Sequence, residues 1–394
     1  MRSRCGSRAS ASPRGVALAR KEIGADPVIP PSPFAELARA RGAVFEEYAG
    51  LTLVEKYVDP LTEYAAVRAG AGLFDRSYRT ALRFSGADRM TFLHNLLSND
   101  IAALHPGMGC YATLLTRESK LVADANVFCM DDCVRLDLDV RVKDRARSHL
   151  EKFIVADDVE IEDRTELETS LGIHGPRSIE ILSAPLADGV PRAAFEHVSG
   201  TIAGVPVLVA RIDWTGDPGF EVTVARPAAP GVWQALLASG APLGLRTAGM
   251  AAAEILRLEA GIPYVGVDFD ESHLVLEAGL ERGVNFQKGC YLGQEIVERA
   301  SARGHVNRRL VGLRIHGERV PARGARILKD GAETGRVTSA VFSPHLLAPI
   351  ALGYVRRDAI AAGTRVEVEI SGATAIAEVA ALPFYHGEGR TNLK

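Results

Sequence analysis

The sequence predicts an α+β body followed by a small all-β module, and three observations support this fold class. Helical and extended patterns alternate from Pro33 to Asn307. Within that stretch, residues 110–139 switch to short apolar segments separated by polar turns, which is typical of an antiparallel sheet. Beyond Arg308, short strands follow one another with Gly and Pro turns and no helical pattern, which predicts a β-barrel or sandwich.

The helices of the body are predicted from apolar residues at helical spacing between capping and stop signals. Gly42 follows the first helix, and Gly70 and Gly72 end the second. A turn and helix cap at residues 85–88 precedes another helix that contains Phe92. Besides the helix that contains Phe92, helices are predicted over residues 34–41, 59–71, 142–153, 231–237 and 250–258.

Strands are predicted where β-forming segments are bounded by turn residues. In the body these segments are residues 111–115, 121–129, 134–140, 205–212 and 220–224. In the C-terminal module they are residues 310–315, 325–328, 335–341, 350–355 and 365–370. We therefore expect an extension over residues 1–32, a body over 33–307 and a barrel over 308–390, a division that suits a chain of 394 residues.

The composition argues against several classes of function. The chain is 47% hydrophobic and 24% charged, as in an ordinary globular protein. Its formal net charge of -3 leaves no basic excess to neutralise phosphates, so we expect no direct nucleic-acid binding. No apolar run approaches the roughly 18–20 residues that span a bilayer, so we expect no membrane association.

The first 32 residues are predicted to form a disordered extension. Arginines and serines precede Glu22, the first acidic residue, and this composition resembles an organelle transit peptide. The alternatives to a transit peptide are a disordered tail without a targeting role and a start codon placed too far upstream. We expect a cytoplasmic protein, with a mitochondrial address as the alternative if the tail is a transit peptide.

The cysteines are an odd, scattered set of five: Cys5, Cys110, Cys129, Cys133 and Cys290. Such a set predicts free thiols in a reducing compartment and no disulfide framework. Cys129 and Cys133 have no second pair at zinc-finger spacing, so no metal site is predicted.

Residues 288–295 read Lys-Gly-Cys-Tyr-Leu-Gly-Gln-Glu and carry the most distinctive motif of the chain. Cys290 stands just before a predicted helix that begins at Gln294, and Lys288 adds a nearby cation. The helix dipole and this charge both favour the thiolate, so Cys290 is a candidate reactive thiol or soft-metal ligand. The alternative is a small buried cysteine in a tight turn.

The motif at residues 288–295, with its continuation at 303–304 and 307–310, resembles the signature of the YgfZ family. Further segments resemble the wider glycine-cleavage T-protein superfamily over the chain from Pro33 to its end. These are residues 66–68, 72–75, 98–101, 106–107, 215–221, 256–261, 335–339 and 350–355. The resemblance implies a folate-binding body of two related subdomains and a C-terminal β-barrel, arranged around a central channel for tetrahydrofolate or a derivative.

The resemblance also implies site residues. Glu221 is expected to anchor the pterin, because a carboxylate can accept two hydrogen bonds from the ring amino group and the adjacent N–H. The alternative is a solvated acid at a strand end. Asp124, Tyr291 and Lys288 are expected to line the same folate site, although Asp124 is equally explained as a strand acid beside a turn.

Two segments depart from the T-protein pattern. T-proteins carry Gly-Gly-x-x-Asp-Asp, whose first aspartate is expected to act beside the reacting folate nitrogen, but residues 119–124 read Ser-Lys-Leu-Val-Ala-Asp. Ala123 therefore replaces that acid. T-proteins also carry Gly-Leu-x-x-Arg-Asp, where this chain has Ala248 and Gly249. Arg246 is considered as a shifted substitute for the lost arginine. Because alanine cannot transfer protons, these departures argue against aminomethyl transfer.

The sequence therefore predicts a folate-binding protein that assembles or repairs iron–sulfur clusters in client enzymes, with Cys290 as its catalytic residue. Reduced folate and iron–sulfur client or assembly proteins are the expected partners. The first alternative is a folate-dependent aminomethyltransferase or related demethylase, for which Asp124 is the only candidate acid. The second is a folate-binding scaffold in which Cys290 is structural. Whether the protein turns over a substrate stays open.

Overall fold

The structure is a computed structural model that describes residues 29–186, 189–302 and 306–389. Most of the predicted N-terminal extension, together with Cys5 and the Arg303-Gly304 pair of the motif continuation, lies outside these residues. The helices are α1 (Ala35–Arg39), α2 (Pro60–Ala69), α3 (Arg89–Leu96), α4 (Val140–Glu151), α5 (Ser178–Ser183), α6 (Ala229–Gly240), α7 (Met250–Glu259) and α8 (Gln294–Ala302). The strands are β1 (Val44–Tyr48), β2 (Leu51–Lys56), β3 (Ala71–Asp75), β4 (Arg79–Ser85), β5 (Gly109–Leu115), β6 (Leu121–Cys129), β7 (Val134–Asp139), β8 (Glu160–Asp163), β9 (Glu168–His174), β10 (His197–Ile202), β11 (Val205–Arg211), β12 (Gly219–Ala225), β13 (Leu245–Thr247), β14 (Arg308–Ile315), β15 (Arg326–Lys329), β16 (Ala332–Ser343), β17 (Ala348–Arg356), β18 (Arg365–Ile370) and β19 (Ala373–Ala380).

The predicted fold class is confirmed, because two mixed helix-and-sheet units are followed by a β-barrel. One body sheet has six strands in the order β10-β11-β12-β9-β3-β13, and the other has five in the order β5-β6-β7-β4-β8. β13 pairs in parallel with β3, whereas the remaining neighbours in both sheets are antiparallel. A separate hairpin of β1 and β2 lies outside both sheets.

Both body units contain the same local device, a strand that turns at a glycine into a helix. β4 turns at Gly86 toward α3, and β9 turns at Gly175 toward α5. The two glycines have φ values of 100° and 139°. A Cβ would lie 2.0 Å from the Asp158 carbonyl oxygen at the first and 2.5 Å from the Gly70 carbonyl oxygen at the second. Each turn therefore requires glycine, and its repetition fits two related subdomains.

The six-stranded sheet separates two apolar cores, because successive strand side chains point to opposite faces. Leu73, Ile173 and Val222 belong to the core that contains α5 and α6. Phe74 belongs to the main core, which continues to the five-stranded sheet. That second sheet packs its apolar face on α3 and α4. Its opposite face is polar and carries, from neighbouring strands, Tyr111, Asp124, Asn126, Asp137 and Arg79.

The C-terminal strands close into a six-stranded barrel in the order β14-β17-β16-β15-β18-β19. Its interior contains fully buried side chains that include Leu313, Ile327 and Val368. Closure leaves these short strands without free edges. β19 is absent from the strands predicted above, because its alanine-rich sequence has a weak preference for extended structure.

The chain returns to the body after the barrel. The Tyr385 backbone N–H donates to the Glu259 carbonyl and its hydroxyl donates to Asp217, each at 2.9 Å. The Arg68 guanidinium lies 3.6 Å from the centre of the Tyr385 ring and pairs with Asp217 and Glu259. This largely buried network attaches the C-terminal segment to the loop that precedes β12.

Candidate active site

Glu221 lies in the middle of β12 with its side chain almost completely buried. Its Oε1 accepts a hydrogen bond from Trp214 Nε1 at 3.0 Å and lies 3.0 Å from Arg76 Nε. Within the described ranges, its Oε2 receives a single contact, from the same Arg76 nitrogen at 3.3 Å. Burial acts to raise the pKa of Glu221, but the Arg76 charge, together with the neighbouring His174 and Arg79, holds the pKa below its ordinary value. Glu221 is therefore an ionised buried acid with unused acceptor capacity on one oxygen.

Glycines make room for the side chains around Glu221. Register pairs Glu221 with Gly172 and Gly172 with Phe74, which places the three residues in one row across the sheet. A Cβ at Gly172 would lie 2.8 Å from His174 Nε2, and one at Gly219 would lie 1.9 Å from His174 Nδ1. Because Gly172 and Gly219 have no side chains, the His174 ring can occupy the space beside them.

His174 is fully buried beside Glu221, with Nε2 3.4 Å from Oε1. The alignment is too poor for a hydrogen bond, and both ring nitrogens lack a hydrogen-bond partner in the described part of the chain. The ring packs against Trp214 at 4.6 Å and Phe74 at 5.9 Å between centroids. Burial lowers the pKa of His174, so the ring is neutral and supports Glu221 mainly by packing.

Asp124 lies on β6 and projects from the polar face of the five-stranded sheet. The Tyr111 hydroxyl donates to its Oδ2 at 3.0 Å, whereas Oδ1 is buried and has no partner among the described residues. Burial raises the pKa of Asp124, and the nearby Arg79 charge and the Tyr111 hydrogen bond only partly oppose this. The site therefore contains a carboxyl group with one oxygen hydrogen-bonded to Tyr111 and the other without a hydrogen-bond partner among the described residues.

Ala123 points away from this polar face. It is 1% exposed, pairs with Leu114 and belongs to the main apolar core. An acid at position 123 would therefore be directed into the core on this strand, while Asp124 faces the site. The expectation that Ala123 deprives the site of its acid is corrected by this geometry.

Glu221 and Asp124 share one polar region although they lie on different sheets. The Arg79 charge acts against the effect of burial on the pKa of both carboxyl groups, although burial prevails at Asp124. Arg79 itself pairs with Asp137 at 2.7 Å. The chain passes from one sheet to the other between β3 and β4, with Arg76 in the link directly after β3 and Arg79 as the first residue of β4.

Lys288 binds backbone carbonyls near the end of α3. Its ammonium donates to three backbone carbonyls at the end of α3 and just beyond it, those of His94, Leu97 and Asn99, at 2.5, 2.7 and 2.9 Å. Burial lowers the pKa of Lys288 to about 8. Because an ammonium group has three donors, this geometry leaves none for a folate.

Tyr291 and Cys290 follow Lys288 in the loop before α8. Tyr291 is packed in the main core, with its ring centre 5.0 Å from the Lys288 nitrogen. Cys290 is an exposed free thiol, which differs from the alternative of a buried cysteine. The structure does not bring this loop into contact with Glu221, and the predicted reactivity of Cys290 stays a prediction.

Several residues of the polar region were not singled out from the sequence. Arg76 directly follows the quoted 72–75 segment, and Tyr111 begins a predicted strand, but neither gives a local signal of function. Arg246, considered as a substitute arginine, donates to the backbone carbonyls of Ala241 and Leu245 and lies outside the site. Ala248 is buried in the main core.

An open cleft of about 800 Å³ lies where the barrel meets the body. It is lined by Glu277, Asn307, Arg308, Arg356, Arg357 and Asp358. Arg308 pairs with Glu277 at 3.2 Å. The other two arginines of the lining give the cleft a cationic wall.

The described residues contain no group of three or more His, Cys, Asp or Glu side chains arranged to hold a metal ion. Among the helices of the described ranges, none combines the length and the apolar character needed to cross a membrane.

Comparisons with known proteins identify relatives over most of the chain. The GCVT N-terminal domain matches residues 34–288, and the glycine cleavage T-protein C-terminal barrel domain matches residues 308–386. The chain is 35% identical to an aminomethyltransferase of Saccharopolyspora erythraea over 90% of this chain and 97% of that protein. A Streptomyces coelicolor aminomethyltransferase is also 35% identical, over 88% and 95% of the two chains. The crystal structure of glycine cleavage system aminomethyltransferase T from Bartonella henselae superposes with a TM-score of 0.83 at 25% identity, covering 91% of this chain and 98% of that one.

These relatives confirm the resemblance to the T-protein superfamily but not to its YgfZ branch. The predicted role in iron–sulfur cluster assembly or repair is wrong, because the similar proteins are named aminomethyltransferases. The error arose because Ala123 was interpreted as the position of a lost catalytic acid. In the structure position 123 faces the core, whereas Asp124 faces the polar region.

Proposed function

Because the chain belongs to the glycine cleavage T-protein family, we propose that it is a tetrahydrofolate-dependent aminomethyltransferase. In this reaction the aminomethyl carbon of a carrier-bound thioether forms bonds to two folate nitrogens. The amine leaves as ammonia and the carrier as its free thiol, and these take up the two hydrogens that the folate nitrogens lose. The balance requires no oxidant.

Glu221 is the proposed pterin anchor. Its Oε2 has a single long protein contact, so it retains lone pairs for the amino group and the adjacent N–H of a pterin. Arg76 and Trp214 fix the carboxylate on its other side. Because Arg76 keeps Glu221 ionised, the acceptor would be available across the neutral pH range.

Asp124 is the proposed proton-handling group, and its geometry is the observation that carries the proposal. Tyr111 fixes Oδ2, so the partner-free Oδ1 is left for a substrate nitrogen. The raised pKa of Asp124 brings it closer to the range in which a carboxyl group exchanges protons efficiently.

The cleft between barrel and body suits the glutamate end of a folate. Arg308, Arg356 and Arg357 line it, and guanidinium groups match carboxylates in geometry and charge. Lys288 and Tyr291 were predicted to contact the folate, but we propose that they position the neighbouring loop.

The test combines binding and turnover. Calorimetry measures tetrahydrofolate binding, and a second assay follows ammonia release with an aminomethylated lipoyl carrier protein as donor. We expect Glu221→Ala to weaken folate binding, and Asp124→Asn to lower kcat about 100-fold or more with little change in folate Kd.

Cys290→Ser decides the predicted role of the thiol, because full turnover in this variant excludes Cys290 from catalysis. Wild-type protein that binds folate but releases no ammonia from the carrier would contradict the proposed transfer.

A further inference from the structure

The loop between β11 and β12, residues 212–218, carries Trp214, which donates to the Glu221 carboxylate. The turn of this loop is stabilised by backbone hydrogen bonds that Trp214 and Gly216 donate at 3.1 and 3.3 Å. Both are longer than the most common N–H···O distance of about 2.9–3.0 Å. We therefore expect contacts from other parts of the chain to fix the position of this loop.

The C-terminal segment, residues 385–389, lies along this loop. The Gly387 N–H donates to the Gly216 carbonyl at 2.9 Å. The Tyr385 hydroxyl donates to the Asp217 carboxylate, also at 2.9 Å. The segment therefore binds the loop through both its backbone and a side chain.

Arg211 extends this connection to the two ends of the loop. It donates to the Gly389 carbonyl at 2.9 Å, and its Nε lies 2.6 Å from Asp213 Oδ1. The same Asp213 oxygen accepts from the Gly219 N–H, at the start of β12, at 2.8 Å. Because Arg211 and Asp213 are both buried, these charge-assisted hydrogen bonds are shielded from water.

Gly387 can approach the loop this closely because it has no side chain. A Cβ there would lie 2.0 Å from Asp217 Oδ1 and 2.7 Å from the Gly216 carbonyl oxygen. The φ of Gly387 lies outside the left-handed region, so alanine would not strain the backbone at this position. An alanine at position 387 would therefore act by pushing the segment away from the loop.

The position of Trp214 controls the orientation of Glu221. Trp214 Nε1 and Arg76 Nε each lie 3.0 Å from Glu221 Oε1. The Trp214 ring centre lies 4.7 Å from the Arg76 guanidinium carbon and 4.6 Å from the centre of the His174 ring. Without the Trp214 donor, the carboxylate would be held by Arg76 and could turn about that contact. The direction of Oε2, the oxygen proposed to bind the pterin, therefore depends on the loop.

We propose that the C-terminal segment positions the folate anchor, acting through Trp214 on Glu221. Gly387 and Tyr385 are the positioning residues. This inference rests on the proposed function, and it adds the part of the chain that sets the affinity of the folate site. Because the contacts of the segment are with the loop, its effect is on folate affinity.

The experiment measures the binding of 5-formyltetrahydrofolate to the full-length protein by calorimetry. We expect Gly387→Ala to weaken binding about tenfold, because displacement of the loop removes a hydrogen bond to a charged carboxylate. Tyr385→Phe should weaken binding about threefold, since it removes the hydroxyl and keeps the ring on Arg68. Gly231→Ala is the matched control and should bind as the wild type does, because a Cβ at this exposed position of α6 would have no described heavy atom outside its own helix within 4 Å.

Two further readouts separate positioning from a general loss of stability. A destabilised protein would bind with lower stoichiometry, because fewer molecules are folded, while the affinity of the folded molecules would stay the same. We expect the opposite, a full stoichiometry with a weaker affinity. In a Trp233→Phe background Trp214 is the single tryptophan of the chain. Its emission should move to longer wavelength in Gly387→Ala without folate, because the indole becomes more exposed to water.

Three results would overturn the inference. Wild-type affinity in both Gly387→Ala and Tyr385→Phe, with weakened binding in Glu221→Ala, would refute it and leave the proposed function intact. A lower stoichiometry at unchanged affinity would assign the segment a structural role. Weaker binding with unchanged Trp214 emission would show that the segment does not act through the loop. Absence of binding by the wild type would instead refute the folate site of the proposed function, and this inference with it.

Discussion

The Asp124→Asn variant separates the stability of the site from its activity. Burial raises the pKa of Asp124 above its ordinary value of 3.8. A carboxyl group whose folded pKa is raised contributes stability fully below the unfolded pKa and loses it as the pH rises through the folded pKa. At pH 7.5 the ionised group is therefore unfavourable for folding. Asparagine removes the charge and keeps a carbonyl oxygen that accepts from Tyr111.

The expected gain follows from removing a charge that burial disfavours, although the amide group still leaves one polar atom without a partner. The desolvation penalty of a buried polar group is about 1–3 kcal/mol, and more for a charged one. Asp124 is half-buried, so solvent screening reduces the gain in unfolding free energy to about 1 kcal/mol. In a chain of this size that corresponds to a rise in Tm of about 1–2 °C at pH 7.5. The gain should shrink at pH 4, where the wild-type carboxyl group is closer to neutral.

Differential scanning calorimetry at the two pH values measures this difference. Asp137→Asn is the matched control, since the Asp137 carboxylate accepts from Arg79 and Asn126, each at 2.7 Å. That variant should lose stability at pH 7.5. If Asp124→Asn also melted below the wild type at pH 7.5, Oδ1 would have to be satisfied in the folded protein and the reasoning would fail.

Two further predictions concern residues around the site. Lys288→Met should lower the free energy of unfolding by about 2–3 kcal/mol in urea titrations, because it removes a charged donor from three backbone carbonyls, of which the Leu97 carbonyl is buried. The matched Cys290→Ser change at an exposed position should leave the free energy of unfolding within about 0.5 kcal/mol of the wild type. Gly219→Ala should lower it by about 1–3 kcal/mol, because its Cβ would lie 1.9 Å from His174 Nδ1. His174→Ala introduced with it should recover part of that loss, and a double variant no better than Gly219→Ala would refute the proposed clash.

Local signals in the sequence predicted elements better than their assembly. The helix predicted over residues 59–71 overlaps α2, although Ala71 already begins β3. Asp59 caps this helix, because its carboxylate accepts from the first-turn N–H groups of Leu61 and Thr62. The β1–β2 hairpin was not predicted. The order of the six-stranded sheet depends on pairing between segments far apart in the chain, which no local pattern encodes.

In the candidate site, too, local patterns identified single residues but not the contacts between them. Glu221 was selected from a resembling segment, but its partner Arg76 comes from the link after β3, 145 residues earlier. The tertiary fold alone brings them together. Lys288 lies in the strongest motif and is used at the end of α3. The distinctive motif therefore identified a loop in which Lys288 and Tyr291 are packed against the body, while the less distinctive Asp124 and Tyr111 lie together in the polar region of the candidate site.

The position of one acid decides how the function is interpreted. Residues 123 and 124 differ by one place in the sequence, but on a strand they point to opposite sides of the sheet. Ala123 pairs with Leu114 inside the core, and an ionised acid there would lack both solvent and a cation. Asp124 faces Tyr111 and the field of Arg79, where a carboxyl group can be held and titrated. Neighbouring residues of one strand therefore differ in function according to the face of the sheet that they occupy, and Asp124 is the carboxyl group available for the folate-dependent transfer proposed above.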